Sequence, residues 1–209
     1  MIEASAGGLA GRGLVRVPGR GAAHCRAPRQ CGGTGPSPAN NGVTGTEPVG
    51  RVRRMTSALR LEKITPDNVD AALALRVHPR QEKNVAPVST SLAEAYAFGD
   101  TAWPRLIFDG EQLVGFLMAF IDIRWAPKKD PDDRRSGLWR LNIVADKQGS
   151  GYGRFAVEAV RDEVRGRGGS RMYVSWEPGE DGPGDFYRKL GFRETGETSG
   201  GQTVGVLDV

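Results

Sequence analysis

The chain has 209 residues, a formal net charge of +4 and a pI of about 9.3. That length holds one domain with a sizeable core and an appended tail, and no apolar run is long enough to span a bilayer. The basic balance does not indicate a nucleic-acid surface, because residues 1–55 carry eight arginines against two glutamates, whereas the rest carries 21 basic and 23 acidic residues.

Residues 1–55 contain none of the 15 aromatic residues and 12 of the 30 glycines. Such a segment cannot bury enough apolar surface to offset the entropy of ordering it, and it is expected to be a disordered basic tail. Cys25 and Cys31 both fall in it, so the domain expected over residues 56–209 has no disulfide framework or cysteine–zinc site, and no metal is expected. Met55-Thr56-Ser57 directly precedes the first strand-like segment and is the expected natural start. An intact mass corresponding to all 209 residues would overturn that expectation. The first residues lack the charged start and apolar stretch of a secretory signal. The expected location is cytoplasmic, with no nucleic-acid or membrane partner.

Leu59–Ile64 reads as a first strand. Thr65-Pro66 reads as a helix start, with Thr as N-cap and Pro at the first position. Val69, Leu73 and Val77 line its apolar face, and His78-Pro79 ends it. Residues 80–90 are irregular and polar, and Ser89 to Phe98 forms a short helix closed by Gly99. Arg105–Phe108 is a strand, Asp109-Gly110 a hairpin turn, and Gln112 to Ile123 a long apolar strand. Lys128 to Arg135 is a charged loop. Leu138–Ala145 is a mostly buried strand. A glycine-rich turn, Gln148-Gly149-Ser150-Gly151-Tyr152-Gly153-Arg154, leads into an amphipathic helix carrying Tyr152, Phe155, Ala156, Ala159, Val160 and Val164 on one face. Gly166-Arg167-Gly168-Gly169 stops it. Arg171–Trp176 is a strand, a short helix runs to Leu190, and Phe192–Thr198 and Val204–Val209 form a closing antiparallel pair.

The glycine turn carries the chemistry. Joining a strand end to a helix start, it serves either as a flexible connection or as a cradle for phosphate, since the unpaired N–H groups and the dipole of the helix start attract anions. It is not a P-loop, for no lysine follows in register. The spacing G-x-G-x-G, late in the chain, is not the dinucleotide fingerprint either. Gln148, Gly151 and Gly153 instead match the Q/R-x-x-G-x-G/A signature of the GNAT acetyltransferase superfamily. Asp185-Phe186-Tyr187-Arg188-Lys189-Leu190-Gly191-Phe192 resembles its F-Y-x-x-x-G-F segment, in the correct order. The resemblance covers about residues 59–209.

It implies a GNAT fold of the α/β (α+β) class: a mixed, strongly twisted sheet of about six to seven strands with helices on both faces. It implies acetyl-CoA as cosubstrate, its pyrophosphate on Gln148, Gly149, Ser150, Gly151, Tyr152, Gly153 and Arg154. The pantetheine arm would lie in a gap between two splayed strands, near Ile143 and Val144. Tyr187 would stand beside the sulfur and protonate the departing thiolate, as a phenol with an ordinary pKa near 10 can. The motif strand offers Arg140 and Asn142 where a carboxylate base would be useful, which implies a water-relayed proton path. His78, the one histidine beyond the tail, is expected to be structural.

The expected acceptor is a primary amine. In this fold residues 78–103 normally face it. Carboxylates with aromatic faces suit a cationic amine, and Glu82, Asp122 and Trp125 are the expected substrate residues. The segment Gln81-Glu82-Lys83-Asn84-Val85-Ala86 and the closing strands are similar to bacterial spermine/spermidine (diamine) N-acetyltransferases, which makes a polyamine the first expectation. The alternatives are an aminosugar, a protein N-terminus, or a non-catalytic acetyl-CoA sensor. Homodimers are common in the family that the chain resembles.

Overall fold

The computed structural model describes residues 59–126, 128–179 and 182–209. The tail reading and the start at Met55 lie outside those residues. Among the described residues, seven strands and four α-helices follow one another: β1 (Leu59–Glu62), α1 (Val69–Ala74), α2 (Val88–Phe98), β2 (Ala102–Asp109), β3 (Gln112–Ala126), β4 (Asp130–Ile143), α3 (Tyr152–Gly166), β5 (Arg171–Trp176), α4 (Gly184–Lys189), β6 (Arg193–Ser199) and β7 (Gln202–Asp208). The order is the one expected, and so is the mixed sheet.

The strands form one sheet in the order β1-β2-β3-β4-β5-β7-β6. All neighbours are antiparallel except β4 and β5, which are parallel because α3 crosses between them. One face is covered by α3 and α4, whose Ala156, Val157, Val160, Val164 and Tyr187 pack on Leu117, Ala119, Leu138, Met172 and Val174. The opposite face is covered by α1 and α2, with Ala72, Leu75 and Val88 over Leu106, Phe116 and Met118. β3 belongs to both cores, which is why it reads as a continuous apolar run.

Several strands differ from expectation by a few residues at their ends, and two elements differ more. α1 starts at Val69, not at Pro66, and ends at Ala74. Asn68 decides the start: its Oδ1 accepts the Thr65 amide at 2.8 Å and its Nδ2 donates to the Lys63 carbonyl at 3.0 Å, which folds residues 65–68 into a turn. The charged stretch before Ser136, expected as a loop, is the first part of β4. Its charges are satisfied laterally. Arg134 donates to Asp122 Oδ2 at 2.8 Å. Arg135, 8% exposed, donates to Asp133 Oδ2 at 2.8 Å and to Glu197 of β6 at 2.6 Å, and its guanidinium lies between the rings of Trp125 and Tyr173, 4.9 and 4.6 Å from their centroids. Those two hydrogen-bonded carboxylates hold the guanidinium protonated against the cost of its burial.

Candidate active site

β4 and β5 pair at three positions only: Ser136↔Met172, Gly137↔Tyr173 and Leu138↔Val174. Past them β4 stays with β3 and β5 stays with β7, so the parallel pair opens into a fork. A bulge stands at the branch point. In the β3 ladder Met118 faces Arg140 and the next residue, Ala119, faces Leu138, leaving Trp139 as the extra residue. A bulge bends its strand and increases local twist, which directs the end of β4, with Ile143 and Val144, away from β5.

The glycine turn closes the β4 arm. Gly149 and Gly151 have φ of +79° and +91°, in the left-handed region that suits glycine. A Cβ at either would meet nothing within 4 Å, so the space beside the turn is open. The first amide of α3 with a main-chain acceptor is that of Phe155, onto the Gly151 carbonyl at 3.1 Å. The N–H groups of Tyr152, Gly153 and Arg154 therefore end the helix as free donors, as the first turn of any helix does. Exposed Arg154 adds a cation with no ion pair among the described residues.

Two side chains in the turn are already committed. The Tyr152 hydroxyl donates to Asp109 Oδ2 at 2.7 Å, and this bond is the main cause that raises its pKa. Gln148 Nε2 donates to Gln81 Oε1 at 2.6 Å and to the Ile143 carbonyl at 3.2 Å. Both residues leave their main chain for a phosphate. The Val144 amide donates to the Val114 carbonyl at 3.0 Å.

The second signature stands on the β5 arm. Tyr187 of α4 is 7% exposed, and its ring stacks on Trp176, the last residue of β5, at 5.4 Å between centroids. Phe186 and Phe192 meet it edge-on at 5.0 and 5.7 Å. Burial raises the phenol above its ordinary pKa of 10.0. The two signatures touch: a Cβ on Gly153 would lie 3.0 Å from the Phe186 ring. The glycine at 153 thus lets α4 close on α3.

On the opposite face, Arg140 just past the fork donates to Glu94 of α2 at 3.1 Å, and the Asn142 amide donates to the Ala86 carbonyl at 3.1 Å. The part of β4 past the fork has no carboxylate of its own, and α2 brings Glu94 to it as the partner of Arg140. Burial lowers the Arg140 pKa, with Glu94 opposing the shift. Pairwise contacts of this kind, 46 residues apart, leave no periodic trace in the sequence. His78 caps a short 3-10 turn, accepting the Arg80 amide on Nδ1 at 3.3 Å.

The expected substrate residues are not brought together. Glu82 is exposed in the loop that Gln81 fastens to the turn. Asp122 and Trp125 lie at the other end of β3, beyond the Phe120↔Gly137 pair at the base of the fork. Eight residues separate Val114, level with the open end, from Asp122, which at ~3.3 Å per residue is about 25 Å. There the Asp122 carboxylate is paired with Arg134, and Arg135 covers the Trp125 ring.

The sequence matches the Acetyltransferase (GNAT) family over residues 71–192, more than half of the chain. The chain belongs to the GNAT acetyltransferase family. Its fold is shared with an acetyltransferase from Thermus thermophilus, with a TM-score of 0.52 at 20% identity, covering 74% of this chain and 99% of that one. The ribosomal-protein-S18-alanine N-acetyltransferase of Escherichia coli aligns with a TM-score of 0.51 at 16% identity, over 73% and 94% of the two chains. A PaiA N-acetyltransferase of Thermoplasma acidophilum, solved in complex with coenzyme A, aligns with a TM-score of 0.52 at 12% identity, over 73% and 99%. No curated protein matches the chain. As a GNAT member it is an acetyl-CoA-dependent N-acetyltransferase.

The residues present fit that cosubstrate: the turn at the helix start is open and left-handed, as a pyrophosphate would need, and β5 leaves β4 without a strand partner past Leu138, where an amide-bearing arm would lie. Gly151→Val is expected to raise the acetyl-CoA Michaelis constant by well over tenfold, roughly 1.4 kcal/mol per decade. No atom of the protein lies within 4 Å of the added Cβ, so the loss would come from the turn's conformation and from blocking the cradle. A steady-state value near wild type would count against the site.

Proposed function

We propose that this fork is where an acetyl group passes from acetyl-CoA to a primary amine by direct attack within a ternary complex. The observation that carries the reading is the juxtaposition of the glycine turn on the β4 arm with Tyr187 on the β5 arm, across a gap that begins at Leu138 and Val174. Bound there, acetyl-CoA supplies an activated thioester carbonyl. The amides of residues 149–154 hold the pyrophosphate, and their backbone origin makes that hold tolerant of side-chain change. The edge of β4 past Leu138, which β5 leaves without a strand partner, orients the pantetheine amides. The amine nitrogen forms a bond to the carbonyl carbon, the carbon–sulfur bond breaks, and Tyr187 gives its hydroxyl proton to the departing sulfur. Burial keeps that phenol protonated through neutral pH. The amine's own proton leaves through water.

A polyamine is the first acceptor to test. Its support is Glu82 on the acceptor-side loop and the sequence similarity of that loop, since Asp122 and Glu94 are held by arginines. The measurement is thiol release from acetyl-CoA against polyamines, aminoglycosides and peptides. Turnover with another amine class and none with polyamines would overturn the polyamine reading. Coenzyme A binding without thiol release for any amine would make the protein a sensor.

A further inference from the structure

The loop of residues 76–87 is fastened to the end of β4 at three points. The Ala145 amide donates to the Arg76 carbonyl at 3.2 Å, Gln148 Nε2 to Gln81 Oε1 at 2.6 Å, and Asn142 Nδ2 to the Ala86 carbonyl at 3.1 Å. The outer two use the main chain of the loop. The middle one is a side-chain pair across 67 residues.

A primary amide carries two N–H donors. Gln148 spends one on Gln81 and one on the Ile143 carbonyl, so it offers none to a phosphate. It joins three things: the last residue of β4, the glycine turn that starts at the next residue, and the loop ahead of α2. Gln81 is itself held in place. It ends the 3-10 turn Pro79–Gln81, its amide donates to the His78 carbonyl at 2.8 Å, and His78 caps the turn. A movement of the glycine turn around an anion therefore reaches Gln81 through one short hydrogen bond, and Glu82 is the next residue.

We infer that Gln81 is a positioning residue, coupling the filling of the glycine turn to the conformation of the acceptor-side loop. The inference rests on the coenzyme A reading of the turn. Without Gln81 the loop keeps its main-chain ties at Arg76 and Ala86 but loses its direct bond to the residue that precedes the glycine turn.

Hydrogen exchange on the full chain, with coenzyme A as the probe, tests this. In the wild type, coenzyme A should slow exchange at residues 149–154 and also at 80–84. In Gln81→Ala the slowing at 80–84 should fall by roughly 3- to 10-fold, the loss of one hydrogen bond, while that at 149–154 persists. Gln81→Glu keeps an oxygen acceptor for Gln148 and should restore it. Equal slowing at 80–84 in the wild type and Gln81→Ala would overturn the coupling. No slowing at 149–154 in the wild type would instead sink the coenzyme A reading, and the inference with it.

Discussion

Gly137→Ala should destabilise the domain by about 3 kcal/mol or more, at the upper end of what overpacking costs. The added Cβ would lie on the Tyr173 carbonyl oxygen, with the Phe120 ring 2.8 Å away on another side. A flexible side chain could turn aside, but the carbonyl belongs to the β5 backbone. Gly137 and Tyr173 form the middle one of only three β4–β5 pairs, so relieving the clash means parting the strands whose pairing ends at the fork. Urea denaturation of the variant measures the cost. A loss below about 1 kcal/mol would mean that the two strands can slide past each other freely. Gly166→Ala is the control: its Cβ meets nothing within 4 Å at the end of α3, and alanine there should be neutral or stabilising by up to about 1 kcal/mol.

Tyr187→Phe should lower turnover by roughly 10- to 1000-fold, the range of general-acid contributions, with coenzyme A affinity retained. The ring keeps its stacking on Trp176 and its edge contacts with Phe186 and Phe192, so the variant separates the hydroxyl from the packing. Burial raises the phenol pKa above 10.0. Any alkaline fall in turnover due to Tyr187 should therefore begin above that value, and Tyr187→Phe should abolish it. Stability follows the same sign. An unfolded chain loses the phenolic proton near pH 10 while the folded one keeps it, so the Tyr187 contribution is complete below that pH and declines above it. Unchanged turnover in Tyr187→Phe would remove the hydroxyl from the mechanism.

The parts of the fold that were legible in the sequence are those governed by local pattern. β5 has the residues expected of it, and α3 starts at Tyr152, because a period of 3.6 and a glycine stop leave little choice. The two signatures were legible for a different reason: the left-handed φ of Gly151 and the close approach of α4 to α3 at Gly153 demand glycine at fixed spacing. The first half of β4 was not legible. Asp130 to Arg135 has the composition of a loop, and it is a strand because Asp122 and Glu197 come from β3 and β6 to meet its arginines. The bulge at Trp139 leaves no mark in residue type. Two of the three expected substrate residues, Asp122 and Trp125, are engaged elsewhere for the same reason. Carboxylate and aromatic residues look available in a sequence, and Asp122 and Trp125 each face an arginine in the folded chain.

The fork leaves part of β4 without a neighbouring strand in the interior of the sheet. Edges are normally blunted by charge, brevity or covering elements because their unpaired main-chain groups accept foreign strands. In the proposed function a cosubstrate, not a strand, takes that place. A cosubstrate bound at a hundred times its dissociation constant adds about 2.7 kcal/mol to unfolding, close to the cost of damaging Gly137. The melting temperature of this enzyme should therefore report how much coenzyme A is available, and aggregation should be fastest where that supply runs out.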